Sequence, residues 1–134
     1  MRFYVASSFL NKVKAKALMV WLELFGHVVT FDWTKHETAE DIETLMNEAE
    51  DDLIGVQSCE RMVVLWPGRL GTASEIGAAL ALGKKVMIIG MPHEARLTNV
   101  YFNHPLVQHV TDEEFIQFIV SLPTSRRYTY AGAL

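Results

Sequence analysis

The feature that most constrains this chain is an alternation, in which short apolar runs of strand length are separated by longer stretches of helical period. Such an alternation reads as βα units, whose strands lie parallel in one sheet with helices on its faces. Phe3 to Ala6 reads as the first strand and His27 to Asp32 as the second. Met62 to Trp66 reads as a buried third strand that stops at Pro67-Gly68, Val86 to Ile89 as a fourth, and Val107 to Val110 as a fifth. Leu10, Val13, Ala17, Val20, Trp21 and Leu24 recur at helical spacing, with Gly26 as the stop. Ile42, Leu45, Met46, Ala49 and Leu53 mark a second helical stripe with an acidic opposite face. Thr72 to Leu82 is an alanine-rich helix ended by Gly83, and Asp112 caps a last helix that reaches Ser121. The expectation is an α/β fold: one doubly wound, flavodoxin-like (Rossmann-like) three-layer sandwich on a five-stranded parallel sheet. It spans residues 1–122, and residues 123–134 form a patternless C-terminal tail. Ligands of such folds bind beyond the carboxyl ends of the strands.

Composition narrows the partners. At 134 residues, half of them hydrophobic, the chain can bury a core as one domain. A net charge of −4 argues against a nucleic-acid groove, which works by neutralising phosphates, but leaves room for a small phosphorylated ligand. No apolar run approaches the roughly 18 residues of a membrane span. The opening MRFYVASSF is too short an apolar run for a signal peptide. Cys59 is the only cysteine, so no internal disulfide can form and a cytoplasmic setting is expected. His27, His36, His93, His104 and His109 lack the spacing of a metal set, and most of them are expected in loops or at the surface. No metal or organic cofactor is expected.

The stretch richest in chemistry is Pro67-Gly-Arg-Leu-Gly-Thr-Ala-Ser-Glu75, between a buried strand and a helix. Gly68 and Gly71 let the backbone turn tightly and approach a ligand. The following helix aims free N–H groups and its positive dipole end into the same space. Glu75, read as lying in the first helical turn, is favoured there in its ionised form. An ionised carboxylate at a strand-end crevice suits attack on an anomeric carbon, whose transition state is cationic at the sugar. The competing reading is a capping box, in which Glu75 reaches back to the Thr72 N–H.

The chain resembles the nucleoside 2-deoxyribosyltransferase superfamily, which includes deoxynucleoside 5′-monophosphate N-glycosidases and CMP N-glycosidases. The resemblance runs through Phe3-Tyr-Val-Ala-Ser-Ser, Asp52, Glu60-Arg-Met-Val-Val-Leu and Glu75-Ile-Gly-Ala-Ala-Leu-Ala-Leu-Gly-Lys-Lys-Val. The glycine loop is also similar to the Pro-Gly-Gly-x-Gly-Thr-x-x-Glu signature of cytokinin-type nucleoside-monophosphate phosphoribohydrolases, with Arg69 in place of a glycine. Both resemblances imply cleavage of a base from a sugar. The family nucleophile falls on Glu75. Asp52 matches an acid that helps position sugar or base, although a site this late in its helix asks for a break near Glu50. Glu60 stands where the family carries an aspartate before the third strand. A first-strand tyrosine of the family falls on Phe3, with Tyr4 adjacent. Asn99 resembles a residue lent across a dimer interface.

Other candidates are read from position. Ser7 and Ser8 follow the first strand and offer hydroxyls and N–H groups to a phosphate or sugar oxygen, or serve as turn and cap residues. Arg69 can pair with a phosphate or stand solvated. Trp33 can stack on a base and Asp32 accept from it, or the two can simply close the sheet end. Leu97, Val100, Tyr101 and Phe102 form an apolar cluster after the fourth strand, which a symmetric homodimer or higher oligomer would bury. The resulting expectation is a retaining N-glycosidase acting on a (deoxy)nucleoside 5′-monophosphate or nucleoside, with catalytic residues Glu75 and Asp52. The alternatives are a deoxyribosyltransferase proper, a non-catalytic nucleotide-binding sensor, and a purely structural domain.

Overall fold

Five strands, β1 (Arg2–Ala6), β2 (Val28–Val29), β3 (Arg61–Leu65), β4 (Lys85–Ile89) and β5 (Val107–Val110), pair in the order β2-β1-β3-β4-β5. Every pairing is parallel. The computed structural model describes residues 1–123, so the expected tail, Pro123 apart, lies outside the described residues. The helices are α1 (Lys12–Leu24), α2 (Ile42–Ser58), α3 (Leu70–Ala81), the short α4 (His93–Arg96) and α5 (Asp112–Ser121). The strand order is that of the flavodoxin-like fold, in which the crevice opens at the reversal between β1 and β3.

The two faces of the sheet can be told apart by neighbouring residues of β1, whose side chains point in opposite directions. Phe3 pairs with Arg61, and the Arg61 guanidinium lies 4.7 Å from the Phe118 ring of α5. Trp21 of α1 lies 6.2 Å from Phe115, so α1 and α5 share that face. Tyr4 points the other way, toward Gly55 of α2 and Glu75 of α3. The central strands are buried on both faces, as parallel strands covered by helices must be, and Phe3, Tyr4, Val5, Met62, Val63 and Ile88 are inaccessible to solvent.

Several elements depart from the expectations. β2 is only Val28–Val29, not His27 to Asp32. It is an edge strand whose ladder ends with Thr30 N–H donating to Phe3 O, after which Asp32 caps a 3₁₀ turn over Trp33–Lys35. In α1 the buried residues are Ala15, Met19 and Leu22, while Val13, Val20 and Leu24 of the expected stripe are exposed. That helix is apolar nearly all round, so two phases of the pattern compete. The expected stripe of α2 likewise faces outward: Ile42, Leu45, Met46 and Leu53 are exposed, and only Gly55 and Val56 are buried. No break interrupts α2 near Glu50. Its long, unbroken path along the mouth of the crevice carries Asp52 to the site. The last helix is capped by Thr111, in a reciprocal box with Glu114, rather than by Asp112.

Candidate active site

A cleft of about 670 Å³ opens beyond the carboxyl ends of β1 and β3, a volume that suits a small organic ligand. It is bounded by the turn after β1, the 3₁₀ turn after β2, one side of α2 and the start of α3. Ser7, Ser8, Trp33, Asp52, Arg69, Gly71, Thr72 and Glu75 of the expected site all line it.

Glu75 projects from the second turn of α3, because that helix begins at Leu70 and not at Thr72. The Thr72–Glu75 capping box therefore does not form. Thr72 Oγ1 instead accepts from the Arg69 N–H at 3.3 Å, and Glu75 is left free of capping duty. Its Oε2 accepts a hydrogen bond from the Tyr4 hydroxyl at 2.5 Å. Burial pushes the Glu75 carboxyl up to about 7, with the Tyr4 hydrogen bond pulling against it and the Asp52 charge adding to it. Burial, reinforced by the Glu75 charge, holds the Tyr4 hydroxyl protonated and far above its ordinary range. The aromatic of β1 that reaches Glu75 is thus Tyr4, while Phe3 points to the opposite face. The approach is possible because α2 carries Gly55 there: a Cβ at that position would lie 2.8 Å from both the Tyr4 ring and Phe31 Cβ. Neither Tyr4 nor Gly55 was among the expected site residues. The signal that could have found Gly55 is a lone glycine inside an otherwise helical run.

Asp52 reaches the cleft from the flank of α2, and its Oδ1 is buried with no hydrogen-bond partner among the described residues. Burial raises its carboxyl to about 6, the charge of His36 opposing and those of Glu48 and Asp51 adding. An unpartnered buried oxygen facing a cleft has acceptor capacity to offer a ligand.

The remaining residues divide. Ser7 Oγ donates to Leu65 O at 2.7 Å and accepts from Asn11 Nδ2 at 2.9 Å, so it ties the turn after β1 to the end of β3. Ser8 caps the turn over Phe9–Asn11. Trp33 is nearly buried, its indole N–H donating to Val5 O at 2.6 Å, and it forms part of the cleft floor. Gly68 packs against Thr72, whose Cγ2 an added Cβ would meet at 2.7 Å, while Gly71 borders the cleft with open space beside it. Arg69 is exposed at the rim. Asp32 turns away from the cleft: it accepts from Lys16 Nζ at 2.5 Å and caps Thr34 N–H at 2.9 Å. Burial raises its carboxyl, but these bonds outweigh it and hold Asp32 below the usual carboxylate range. Asn99 caps the 3₁₀ turn Val100–Asn103 and is not part of the cleft. Glu60 pairs with Arg2 at the far end of the sheet, receiving the Arg2 N–H at 2.9 Å.

Of the histidines, His27 is buried just before β2, edge-on to Phe3 at 5.4 Å between ring centres. His109 Nε2, on β5, lies 2.8 Å from Phe102 O in the connection that precedes the strand. His36 borders the cleft. Among the described residues no cluster of three or more His, Cys, Asp or Glu side chains is arranged to hold a metal ion.

No protein-family model matches the sequence, and no curated protein matches it. Solved structures do. The CMP N-glycosidase BcmB of Clostridium botulinum superposes with a TM-score of 0.61 at 19% identity, over 90% of this chain and 96% of that one. The 2-deoxyribosyltransferase of the psychrotolerant bacterium Bacillus psychrosaccharolyticus superposes with a TM-score of 0.64 at 22% identity, over 87% of this chain and 90% of that one. At these identities the likeness extends along nearly the whole of each chain, and what it shows is a shared fold.

Proposed function

We propose that this chain cleaves the N-glycosidic bond of a nucleoside 5′-monophosphate or nucleoside, with Glu75 as the nucleophile. The observation that carries the reading is the Tyr4–Glu75 pair, a buried carboxylate held by a hydroxyl on the wall of a ligand-sized cleft. Glu75 attacks C1′, the C1′–N bond breaks, and its electron pair leaves with the base, which takes up a proton. Water then attacks C1′ of the glycosyl-enzyme and restores the Glu75 carboxylate, with retention at C1′. Asp52 orients the sugar or base through its unpartnered Oδ1. The fold shared with a CMP N-glycosidase and a 2-deoxyribosyltransferase supports this bond type.

Arg69 at the rim and Gly71 and Thr72 in the first turn of α3 line the same cleft, an arrangement suited to a phosphate at a helix N-terminus. The working setting is the cytoplasm, and the working form is a homodimer or higher oligomer. Supporting the oligomer, Leu97, Val100 and Tyr101 are exposed and only Phe102 of that cluster is buried, 5.9 Å from Trp66. The outward Leu45, Met46 and Leu53 of α2 add a second apolar surface beside the cleft. Among the described residues, no helix is long and apolar enough to cross a membrane.

The test is a chromatographic screen of nucleosides and 5′-monophosphates for base release, with and without a second free base. Base release is the expected result, and exchange onto the second base would identify a transferase. Tight nucleotide binding without any base release would leave a sensor instead.

A further inference from the structure

Resting on the N-glycosidase reading, one step of the chemistry has no group assigned to it: the proton that must reach the departing base. His36 follows the 3₁₀ turn that begins at Trp33, and its N–H bonds back to Trp33 O at 3.0 Å. Its ring packs against Phe31 at 5.5 Å between centres, and its Nδ1 lies 3.8 Å from Glu48 Oε2. Among the described residues no hydrogen bond engages its Nε2, and the residue borders the same cleft as Asp52 and Glu75. We propose that His36 is the general acid of this site, giving its proton to the base nitrogen or oxygen that takes up the electron pair of the broken C1′–N bond.

Charged groups face the ring from three elements. From α2, Glu48 stands beside it and Asp52 lines the same wall. From α1, Lys16 and Glu23 line an adjoining recess that His36 shares, and in its own loop Asp32, Lys35 and Glu37 lie nearby. The Lys16 charge is neutralised by Asp32 at 2.5 Å, so the carboxylate of Glu48 is the close unneutralised partner. An imidazole is also the side chain suited to exchanging a proton near neutral pH. The proton balance closes in the second half of the reaction. The water that attacks the glycosyl-enzyme gives up one proton, which returns the imidazole to its charged form while its oxygen bonds to C1′ and Glu75 leaves as carboxylate.

The experiment uses leaving groups that differ in their need for a proton. For a purine substrate, the ordinary monophosphate is compared with its N7-methylated form, whose base departs neutral without protonation. For a pyrimidine, it is compared with the 5-fluorinated form. His36→Gln and His36→Asn are each expected to lower kcat on the ordinary substrate by about 10²–10³-fold while changing the activated substrate less than threefold. An equal loss on both substrates, or no loss on either, would overturn the general-acid role even with the wild type active. Failure of the wild-type protein to release base from any substrate would overturn the N-glycosidase reading itself, and this inference with it.

Discussion

The Tyr4 hydroxyl donates to Glu75 Oε2 at 2.5 Å, joining residues 71 apart in sequence through β1 and the second turn of α3. Both groups are buried, and the bond is the force that offsets burial and keeps the Glu75 carboxyl near 7 rather than higher. Tyr4→Phe removes that donor. A hydrogen bond to a charged group is worth about 1.5–3 kcal/mol, so the acid limb of base release should rise by about one to two pH units. A full pH–rate profile of the variant checks this. An unmoved acid limb would mean that the hydroxyl does not support the ionised carboxylate.

Glu75→Gln should lower base release by several orders of magnitude, because an amide cannot serve as the attacking carboxylate. It should also stabilise the fold at alkaline pH. The folded-state carboxyl lies near 7 against an ordinary 4.5, so the fold favours the protonated form. That contribution is present in full below 4.5 and is lost as pH rises through 7, leaving the carboxylate a burden above it. The variant should therefore gain roughly 1–3 kcal/mol over wild type at pH 8, net of a weaker bond from Tyr4, and nothing near pH 4. Denaturant unfolding at the two pH values measures the difference.

The inner strands were legible because strands covered on both faces leave continuous apolar runs such as Met62-Val-Val-Leu and Val86-Met-Ile-Ile. The phases of α1 and α2 were not, for a physical reason. Apolar residues on those helices face both core and outside, so periodicity alone does not say which stripe is inward. The start of α3 was hidden too, since Leu70-Gly71 looks like loop until Arg69 is seen in the cap position. That two-residue shift is what separates a capping glutamate from one free to act. Phe3 and Tyr4 are adjacent aromatics, and only the strand's alternation within the folded sheet decides that Tyr4 is the one facing α3. His36 belongs to a loop whose path no local pattern encodes.

Gly55 is the clearance on which the pair depends. An added methyl would sit 2.8 Å from the Tyr4 ring and Phe31 Cβ, well inside contact distance. Gly55→Ala should cost about 1–3 kcal/mol of stability through overpacking, although alanine is the better helix former. It should also displace the Tyr4 hydroxyl from Glu75 and reproduce part of the Tyr4→Phe pH shift. A stabilised protein with an unchanged profile would show that the helix gives way without cost.

Arg69 tests the phosphate. If its guanidinium pairs with a 5′-phosphate, Arg69→Ala should lower kcat/KM for the monophosphate about tenfold to a hundredfold, in line with 1.5–3 kcal/mol per charged hydrogen bond. The same change should leave the nucleoside nearly untouched. Parallel losses on both substrates would assign Arg69 to the loop instead of the ligand.

The central claim is that Glu75 forms a covalent bond to the sugar. A 2′-deoxy-2′-fluoro-arabino analogue of the released substrate slows breakdown of such an intermediate by destabilising the cationic transition state. Intact-protein and peptide mass spectrometry after mixing is the direct measurement. The account predicts a burst of one base per chain and a sugar adduct on the peptide carrying Glu75, absent from Glu75→Gln. Continuous base release with no adduct, or an adduct on any other residue, would contradict it.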